Sequence, residues 1–151
     1  DAHELRLAPV MAMAMLTALE EASAWPGTDG LPRYDPSIVD AVCFVPSTSA
    51  AFARRGFDHM DLVSHALCAE TGLPLHDVLV REHARDQRIL GREERSANLG
   101  GSIRVTDEVA GMHLLLLDDV VTTGASVREA TRTLLSRGAL SVTACALARL
   151  W

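Results

Sequence analysis

Cysteine and aromatic residues are scarce in this 151-residue chain. It has three cysteines, and aromatic residues make up only 4% of it. Cys43, Cys68 and Cys145 lie far apart in apolar surroundings, and no CxxC spacing occurs. This pattern argues against a disulfide framework and against a zinc site. We therefore expect reduced thiols and a cytoplasmic protein.

Lysine is absent, and all 14 basic residues are arginines. Together with 20 acidic residues they leave a net charge of −6, whereas domains that bind nucleic acid in general carry a basic excess. The sequence therefore does not predict a general nucleic-acid binder. Arginines do outnumber acidic residues between Arg81 and Arg104, so an otherwise acidic chain has one locally basic segment.

No uninterrupted apolar run approaches the ~20 residues that cross a bilayer. The segment "LAPVMAMAMLTALEEASAW" (7–25) is apolar enough to imitate the core of a signal peptide. However, acidic residues precede and follow it, and no basic stretch leads it. We interpret it as an amphipathic helix and expect no membrane span.

Segments with strand character and segments with helix character alternate along the chain. The predicted strands cover residues 38–45, 76–82, 102–105, 114–117 and 140–147, with 102–105 at an edge. The predicted helices cover 7–25, 60–71, 91–99 and the stretch after the turn 122–126, which ends before Gly138. Asp58 and Gly72 are expected to cap the helix at 60–71. This order predicts one α/β domain over residues 1–151, with a doubly wound, mostly parallel sheet flanked by helices.

The stretch "LLLLDDVVTTGAS" (114–126) places two adjacent carboxylates, Asp118 and Asp119, behind a short apolar run. We predict that the run is a strand buried on both faces and that the acids lie at its carboxyl end, where open parallel sheets bind ligands. The turn 122–126 then enters a helix and offers N–H groups and hydroxyls that suit a phosphate. A phosphorylated sugar has a matching layout. The alternative is an ordinary strand followed by a capped helix; the chain has neither a Walker A loop nor a GxGxxG fingerprint.

This stretch resembles the phosphoribosyl pyrophosphate (PRPP) signature of type I phosphoribosyltransferases. Upstream, "VPSTSAAFARRGFDHMDLVSHAL" and "REHARDQRILGREERSANLGGSIRV" are similar to segments of the ComF-type, competence-associated branch of that family. The resemblance covers roughly residues 39–149. It implies the type I phosphoribosyltransferase fold and a role in nucleotide metabolism. The implied reaction is Mg²⁺-dependent displacement of pyrophosphate from C1 of PRPP by an unidentified nitrogen acceptor.

The resemblance also implies roles for individual residues. Asp118 and Asp119 are assigned to catalysis through the ribose hydroxyls, and to Mg²⁺ only indirectly, through the ribose or water. The 5′-phosphate is assigned to Thr122, Thr123, Gly124, Ala125 and Ser126, and the pyrophosphate to Ser47, Thr48, Arg54 and Arg55. The arginine-rich segment 81–98 is interpreted as a mobile hood that stabilises the leaving group. Arg88 is assigned to catalysis, and Arg81, Gln87, Arg95 and Asn98 are further residues that match the family pattern. A solvated helix with Glu–Arg pairs is the alternative for this segment.

Two positions depart from the resembled pattern. Asp58 and His59 stand where relatives usually have Asn and Gln, and a lone histidine of this kind is more often a surface residue than a catalyst. Some purine-specific relatives have a third carboxylate at the position of Thr122, which weakens a purine-salvage interpretation.

Residues 1–35 form a partial hood at most, and Trp25 and Tyr34 either stack on an acceptor base or pack in the core.

Two other functions remain open. The first is a non-catalytic PRPP-binding or regulatory module in DNA uptake, with single-stranded DNA or competence proteins as partners, although the basic segment has no aromatic platform. The second is a phosphoryl-transfer or receiver-type domain that uses Asp118 and Asp119 on Mg²⁺; it lacks a second acidic cluster and a matching lysine. A homodimer is also left open.

Overall fold

A computed structural model describes residues 2–81 and 102–150 of the chain, without the side chains of residues 2–5, 49, 50 and 55. Strands and helices alternate over these residues. The helices are α1 (Ala2–Ala24), α2 (Ser49–Arg55), α3 (His59–Thr71) and α4 (Ala125–Ser136). The strands are β1 (Ala41–Phe44), β2 (Leu79–Arg81), β3 (Ile103–Val105), β4 (His113–Val121) and β5 (Ser141–Arg149).

Three of these strands form a parallel sheet in the order β1–β4–β5. The central strand is β4, in which Leu117 pairs with Phe44 of β1 on one side and with Cys145 of β5 on the other. Parallel neighbours need crossover connections, and α4 supplies the one between β4 and β5. The arrangement confirms the predicted α/β fold with a parallel sheet flanked by helices.

The sheet is buried on both faces because the leucines of β4 alternate between two cores. Leu114 and Leu116 contribute to a first core with β2, β3 and α4, which includes Leu134. Leu115 and Leu117 contribute to a second core with α1 and α3. None of the four β4 leucines is more than 1% exposed, as the unbroken apolar run predicts for a strand covered on both sides.

Helix α1 packs on α3 through Ala8, Ala12, Met15 and Leu19, which are buried in the second core. The segment Arg6–Ala24 is also long and apolar enough to cross a membrane, judged by length and composition alone. The buried stripe supports the interpretation of α1 as an amphipathic helix that covers the sheet. The lack of a membrane span stays a prediction.

Strands β2 and β3 form a separate antiparallel ribbon in which Leu79 pairs with Val105. The sequence predicts an edge strand at 102–105, and the structure places it beside β2, outside the three-stranded sheet. The ribbon still contributes to the first core, because Leu79 and Ile103 are each 2% exposed there.

The structure differs from the predicted elements most at two places. The segment after β1, for which no helix or strand is predicted, contains α2, whose N-cap Thr48 accepts a hydrogen bond from the N–H of Ala51 at 3.2 Å. Strand β4 does not end at Leu117 but continues to Val121, because pairing with β5 continues to Val121 opposite Arg149. The helix predicted at 91–99 lies outside the described residues.

Candidate functional site

Asp118 and Asp119 lie where the sheet opens. Strand β1 ends at Phe44, opposite Leu117, while β4 continues to Val121 beside β5. The two acids are therefore inside β4 and not after it, but they lie just past the carboxyl end of β1. This is the edge at which open α/β sheets bind ligands.

The two acids meet different surroundings because adjacent side chains of a strand point to opposite faces. Oδ2 of Asp119 lies 2.8 Å from Nε2 of His59, at the start of α3, and Oδ1 accepts a hydrogen bond from the N–H of Val120 at 2.6 Å. The hydrogen bond with His59 is the main reason that the pKa of Asp119 falls to about 2, although burial opposes the fall. Asp119 is therefore ionised at neutral pH.

The pKa of Asp118 moves in the other direction, to about 6. Burial is the main cause, and the negative charge of Asp119 adds to it. Two groups oppose the rise: the N–H of Asp119, which donates to Oδ1 of Asp118 at 2.9 Å, and the guanidinium of Arg81. Unequal pKa values thus relieve the repulsion between two neighbouring carboxylates.

The turn between β4 and α4 forms a cradle suited to an anion. Gly124 is the N-cap of α4 with a φ of 73°, a left-handed conformation that glycine adopts without strain. It has no side chain to accept a hydrogen bond, so the first turn of α4 offers N–H groups and the positive end of the helix dipole. The residues that line the pocket here are those predicted for the 5′-phosphate: Thr122, Thr123, Gly124, Ala125 and Ser126.

The connection from β1 to α2 lines another side of the same pocket, with Ser47, Thr48 and Arg54. The N–H of Ser47 donates to Oδ2 of Asp58 at 2.8 Å. That N–H is therefore engaged within the protein. Thr48 and Arg54 line the pocket, and their assignment to the pyrophosphate stays a prediction; the side chain of Arg55 lies outside the described part of the chain.

Arg81 ends β2 and joins the two loops. Its Nε donates to the carbonyl oxygen of Pro46 at 3.3 Å, and its Nη2 donates to Oγ of Ser126 at 3.4 Å. Its Nη1 donates to Oγ of Ser102 at 2.9 Å. The sequence groups Arg81 with the hood, whereas these contacts make it part of the pocket wall. The remaining hood residues, Gln87, Arg88, Arg95 and Asn98, lie outside the described residues.

His59 is the site residue that sequence reasoning missed. The expected surface histidine is only 17% exposed and contacts Asp119. Asp58 caps α3 as predicted, accepting a hydrogen bond from the N–H of Met60 at 3.1 Å, and this places His59 at the first position of the helix. The position of α3 was the available signal, because a helix that follows β1 starts near the same sheet edge as the end of β4.

The acids and the two loops line one pocket of about 280 Å³. Trp25 and Tyr34, the candidates for stacking on an acceptor, do not line it. Tyr34 is 6% exposed and belongs to the second core, whereas Trp25 is 75% exposed. Tyr34 is therefore a packing residue.

The described residues contain no large cluster of metal-ligating side chains. Within residues 2–81 and 102–150, no group of three or more His, Cys, Asp or Glu side chains is placed to hold a metal ion. Mg²⁺ takes few protein ligands and keeps water and phosphate oxygens. Asp118 and Asp119 suit such an ion as indirect partners.

Comparison with known proteins agrees with this geometry. The family model described as "Phosphoribosyl transferase domain" matches residues 39–149. The "DNA utilization protein YhgH" of Salmonella typhi is 32% identical over 152 residues, which cover 97% of this chain and 65% of that protein. "Competence protein F" of Haemophilus influenzae is 30% identical over 126 residues, which cover 80% of this chain and 55% of that protein. The chain thus spans between about half and two thirds of the length of these relatives.

A solved structure supports the fold. The allosteric regulatory enzyme of purine biosynthesis superposes with a TM-score of 0.56 at 18% identity, over 93% of this chain and 25% of that one. At this identity the likeness concerns the fold alone. The matched family model and the named relatives go further: the chain belongs to the phosphoribosyl transferase domain family, in its ComF-type, competence-associated branch.

Proposed function

We propose that this domain binds PRPP and transfers its phosphoribosyl group to a nitrogen acceptor. The observation that supports this most strongly is that one pocket combines the acidic pair with the open start of α4 and with the β1–α2 connection. PRPP carries two ribose hydroxyls between a 5′-phosphate and a pyrophosphate. Its groups therefore follow the same order as the groups of the pocket.

In this proposal the 5′-phosphate binds at the start of α4. N–H groups of the first helical turn beyond Ala125, whose own N–H donates to Oγ1 of Thr123 at 3.3 Å, are its donors, together with the hydroxyls of Thr122, Thr123 and Ser126. Gly124 has no side chain, so this residue adds no Cβ that would hinder a phosphate from approaching its backbone.

The pyrophosphate binds on the side of the β1–α2 connection. Arg54 and Arg81 both line the pocket there, and a guanidinium presents paired donors that match phosphate oxygens. Thr48 adds a hydroxyl to the same wall. The ribose then lies between the two anion sites, with its hydroxyls on Asp118 and Asp119.

The transfer breaks the bond between C1 and the pyrophosphate oxygen and forms a bond between C1 and the acceptor nitrogen. Pyrophosphate leaves with the electron pair, and the nitrogen releases its proton to solvent water. The pocket contributes mainly by positioning, and the ionised acids favour the positive charge that develops on the ribose ring. Mg²⁺, when bound, neutralises charge on the leaving pyrophosphate.

A second candidate is a non-catalytic PRPP-binding module that acts in DNA uptake. Two observations favour it. The named relatives are a DNA utilization protein and a competence protein, and Thr122 stands where a carboxylate would be able to accept the proton of a purine acceptor. The two candidates share the PRPP site and differ only in turnover.

Calorimetry with PRPP, with and without Mg²⁺, tests the shared site. We expect Mg²⁺-dependent binding that weakens at least tenfold in Asp118→Asn and in Asp119→Asn, because each amide loses one charge and one acceptor for ribose hydroxyls. Glu70→Gln is the matched control, because it removes one negative charge from the exposed face of α3. Unchanged affinity in both Asn variants would contradict the ribose assignment.

A pyrophosphate-release assay across nucleobases and other nitrogen compounds then separates the two candidates. Release that depends on one acceptor and on Asp118 supports the transferase. Tight PRPP binding without release for any acceptor supports the regulatory module.

A further inference from the structure

Asp58 and His59, adjacent at the start of α3, connect the loop after β1 with Asp119 through hydrogen bonds. Asp58 accepts the N–H groups of Ser47 and Met60, at 2.8 and 3.1 Å, so it ties the start of α3 to the loop after β1. His59 follows directly, and its Nε2 reaches Asp119 at 2.8 Å. The path therefore connects the proposed pyrophosphate loop with the proposed ribose carboxylates.

The direction of the His59–Asp119 hydrogen bond follows from chemistry. An ionised carboxylate can only accept, so Nε2 carries the proton and donates it. The other ring nitrogen, Nδ1, is buried, and no described residue is within hydrogen-bonding distance of it; the nearest acidic oxygen, Oδ1 of Asp58, is 4.0 Å away. The contact with Asp119 is therefore the hydrogen bond that orients the ring.

Asp119 is held at both oxygens. Oδ1 takes the N–H of Val120 and Oδ2 takes the N–H of His59, which fixes rotation of the carboxylate about its Cβ–Cγ bond. Each oxygen still has a lone pair for a ligand. His59 and Asp119 both line the pocket, and the side chain of Asp119 is the more exposed, at 37% against 17% for His59, so the carboxylate is the more accessible of the two to a ligand.

We propose that His59 is a positioning residue for the pentose: its Nε2–H fixes the carboxylate of Asp119 in the orientation that accepts a ribose hydroxyl. This inference rests on the proposed PRPP site and adds a residue to it. A preorganised acceptor binds more tightly than one that must be ordered on binding. His59 thus acts through Asp119 and does not itself contact the reacting atoms.

The test measures the PRPP dissociation constant of the full chain in Mg²⁺ by calorimetry. His59→Leu should weaken PRPP binding about tenfold, the scale of a lost hydrogen bond to a charged group. His59→Gln keeps an N–H donor at similar reach and should restore affinity to within about threefold of the wild type. Binding of inorganic pyrophosphate should not change in either variant.

A double-mutant cycle separates positioning from a structural role. In an Asp119→Asn background, His59→Leu should cost less than about twofold, because the carboxylate that it orients is gone. The matched control is His65→Leu: His65 also contacts an aspartate of α3, with Nδ1 3.2 Å from Oδ1 of Asp61, but its side chain is 65% exposed and does not line the pocket.

Each outcome decides the inference. A loss in His59→Leu that is rescued by Gln and absent in the Asp119→Asn background supports it. If the wild type binds PRPP and His59→Leu binds it equally well, the inference is overturned and the PRPP site stays in place. The same holds if His59→Leu weakens PRPP binding equally in the wild-type and in the Asp119→Asn background. A wild-type chain that binds inorganic pyrophosphate but not PRPP overturns both.

Discussion

At the scale of single residues, the site depends on the different surroundings of two adjacent aspartates in β4, Asp118 and Asp119. Asp119 finds a donor in His59 and keeps its charge, while Asp118 is partly buried without an equally strong partner. The ionised form of Asp118 is therefore unfavourable in the unliganded protein. Such a group is expected where a ligand later supplies the missing donors.

Asp118 gives a prediction about stability and pH. Its pKa in the folded protein, about 6, exceeds the ordinary aspartate pKa of 3.8, so the folded state binds the proton more tightly than the unfolded state does. The contribution of Asp118 to stability is therefore fully present below about pH 4 and is lost as pH rises through about 6. Asp118→Asn should stabilise the unliganded protein by roughly 1–2 kcal/mol at pH 8, after allowance for solvent screening, and have little effect at pH 4.

Urea unfolding at pH 4 and pH 8 measures this difference. Asp107→Asn, in the exposed connection after β3, is the control and should show no comparable pH-dependent gain. A stabilisation by Asp118→Asn that is the same at both pH values would show that the burial of charge is not its cause.

At the scale of elements, the start of α4 is both a structural turn and the proposed phosphate site. The left-handed conformation at Gly124 lets the chain turn from β4 into the helix, and the missing side chain keeps the first turn open. An added Cβ would lie 2.9 Å from Nη1 of Arg128 and 3.7 Å from Cγ1 of Val121. The arginine tip can move, but the backbone conformation cannot change without loss of the turn.

Gly124→Ala should therefore destabilise the protein by about 1 kcal/mol and weaken binding of a phosphate ligand. Thermal unfolding reports the first effect, and calorimetry with ribose 5-phosphate reports the second. Gly72→Ala is the matched control, since Gly72 has a φ of 75° at the end of α3 and open space around its Cβ position. It should cost similar stability while ligand affinity stays the same.

At the scale of the whole molecule, β4 connects the two cores with the site. Its leucines alternate between the core under α4 and the core under α1 and α3. Asp118 and Asp119 follow on the same strand, where Asp119 contacts His59 and Asp118 lies near Arg81. Packing and site geometry therefore share one strand register.

A core truncation should show how strongly this strand holds the fold. Leu115 is 0% exposed, so Leu115→Ala should lower the free energy of unfolding by about 3 kcal/mol through lost burial and a residual cavity. Leu140→Ala removes the same atoms at a position that is 63% exposed and should stay within about 0.5 kcal/mol of the wild type. Equal losses in denaturant unfolding would contradict the assignment of the core.

Short-range patterns in the sequence determined much of this protein. The unbroken run Leu114–Leu117 identified a strand covered on both sides, Asp58 and Gly72 marked the ends of α3, and "DDVVTTGAS" placed acids and a phosphate-type turn together. These features depend on neighbours along the chain, such as caps, glycine conformations and periodicity, and are readable without the fold.

Other features were decided only by the tertiary structure, because they depend on residues far apart in sequence. The extension of β4 to Val121 follows from its pairing with β5, and the pairing of β3 with β2 follows from the shared first core. The bond between His59 and Asp119 joins positions 60 residues apart, and the opposite pKa shifts of Asp118 and Asp119 follow from burial and from that contact. No local pattern encodes such distances, because they arise only when the sheet brings the strand ends and helix starts to one edge.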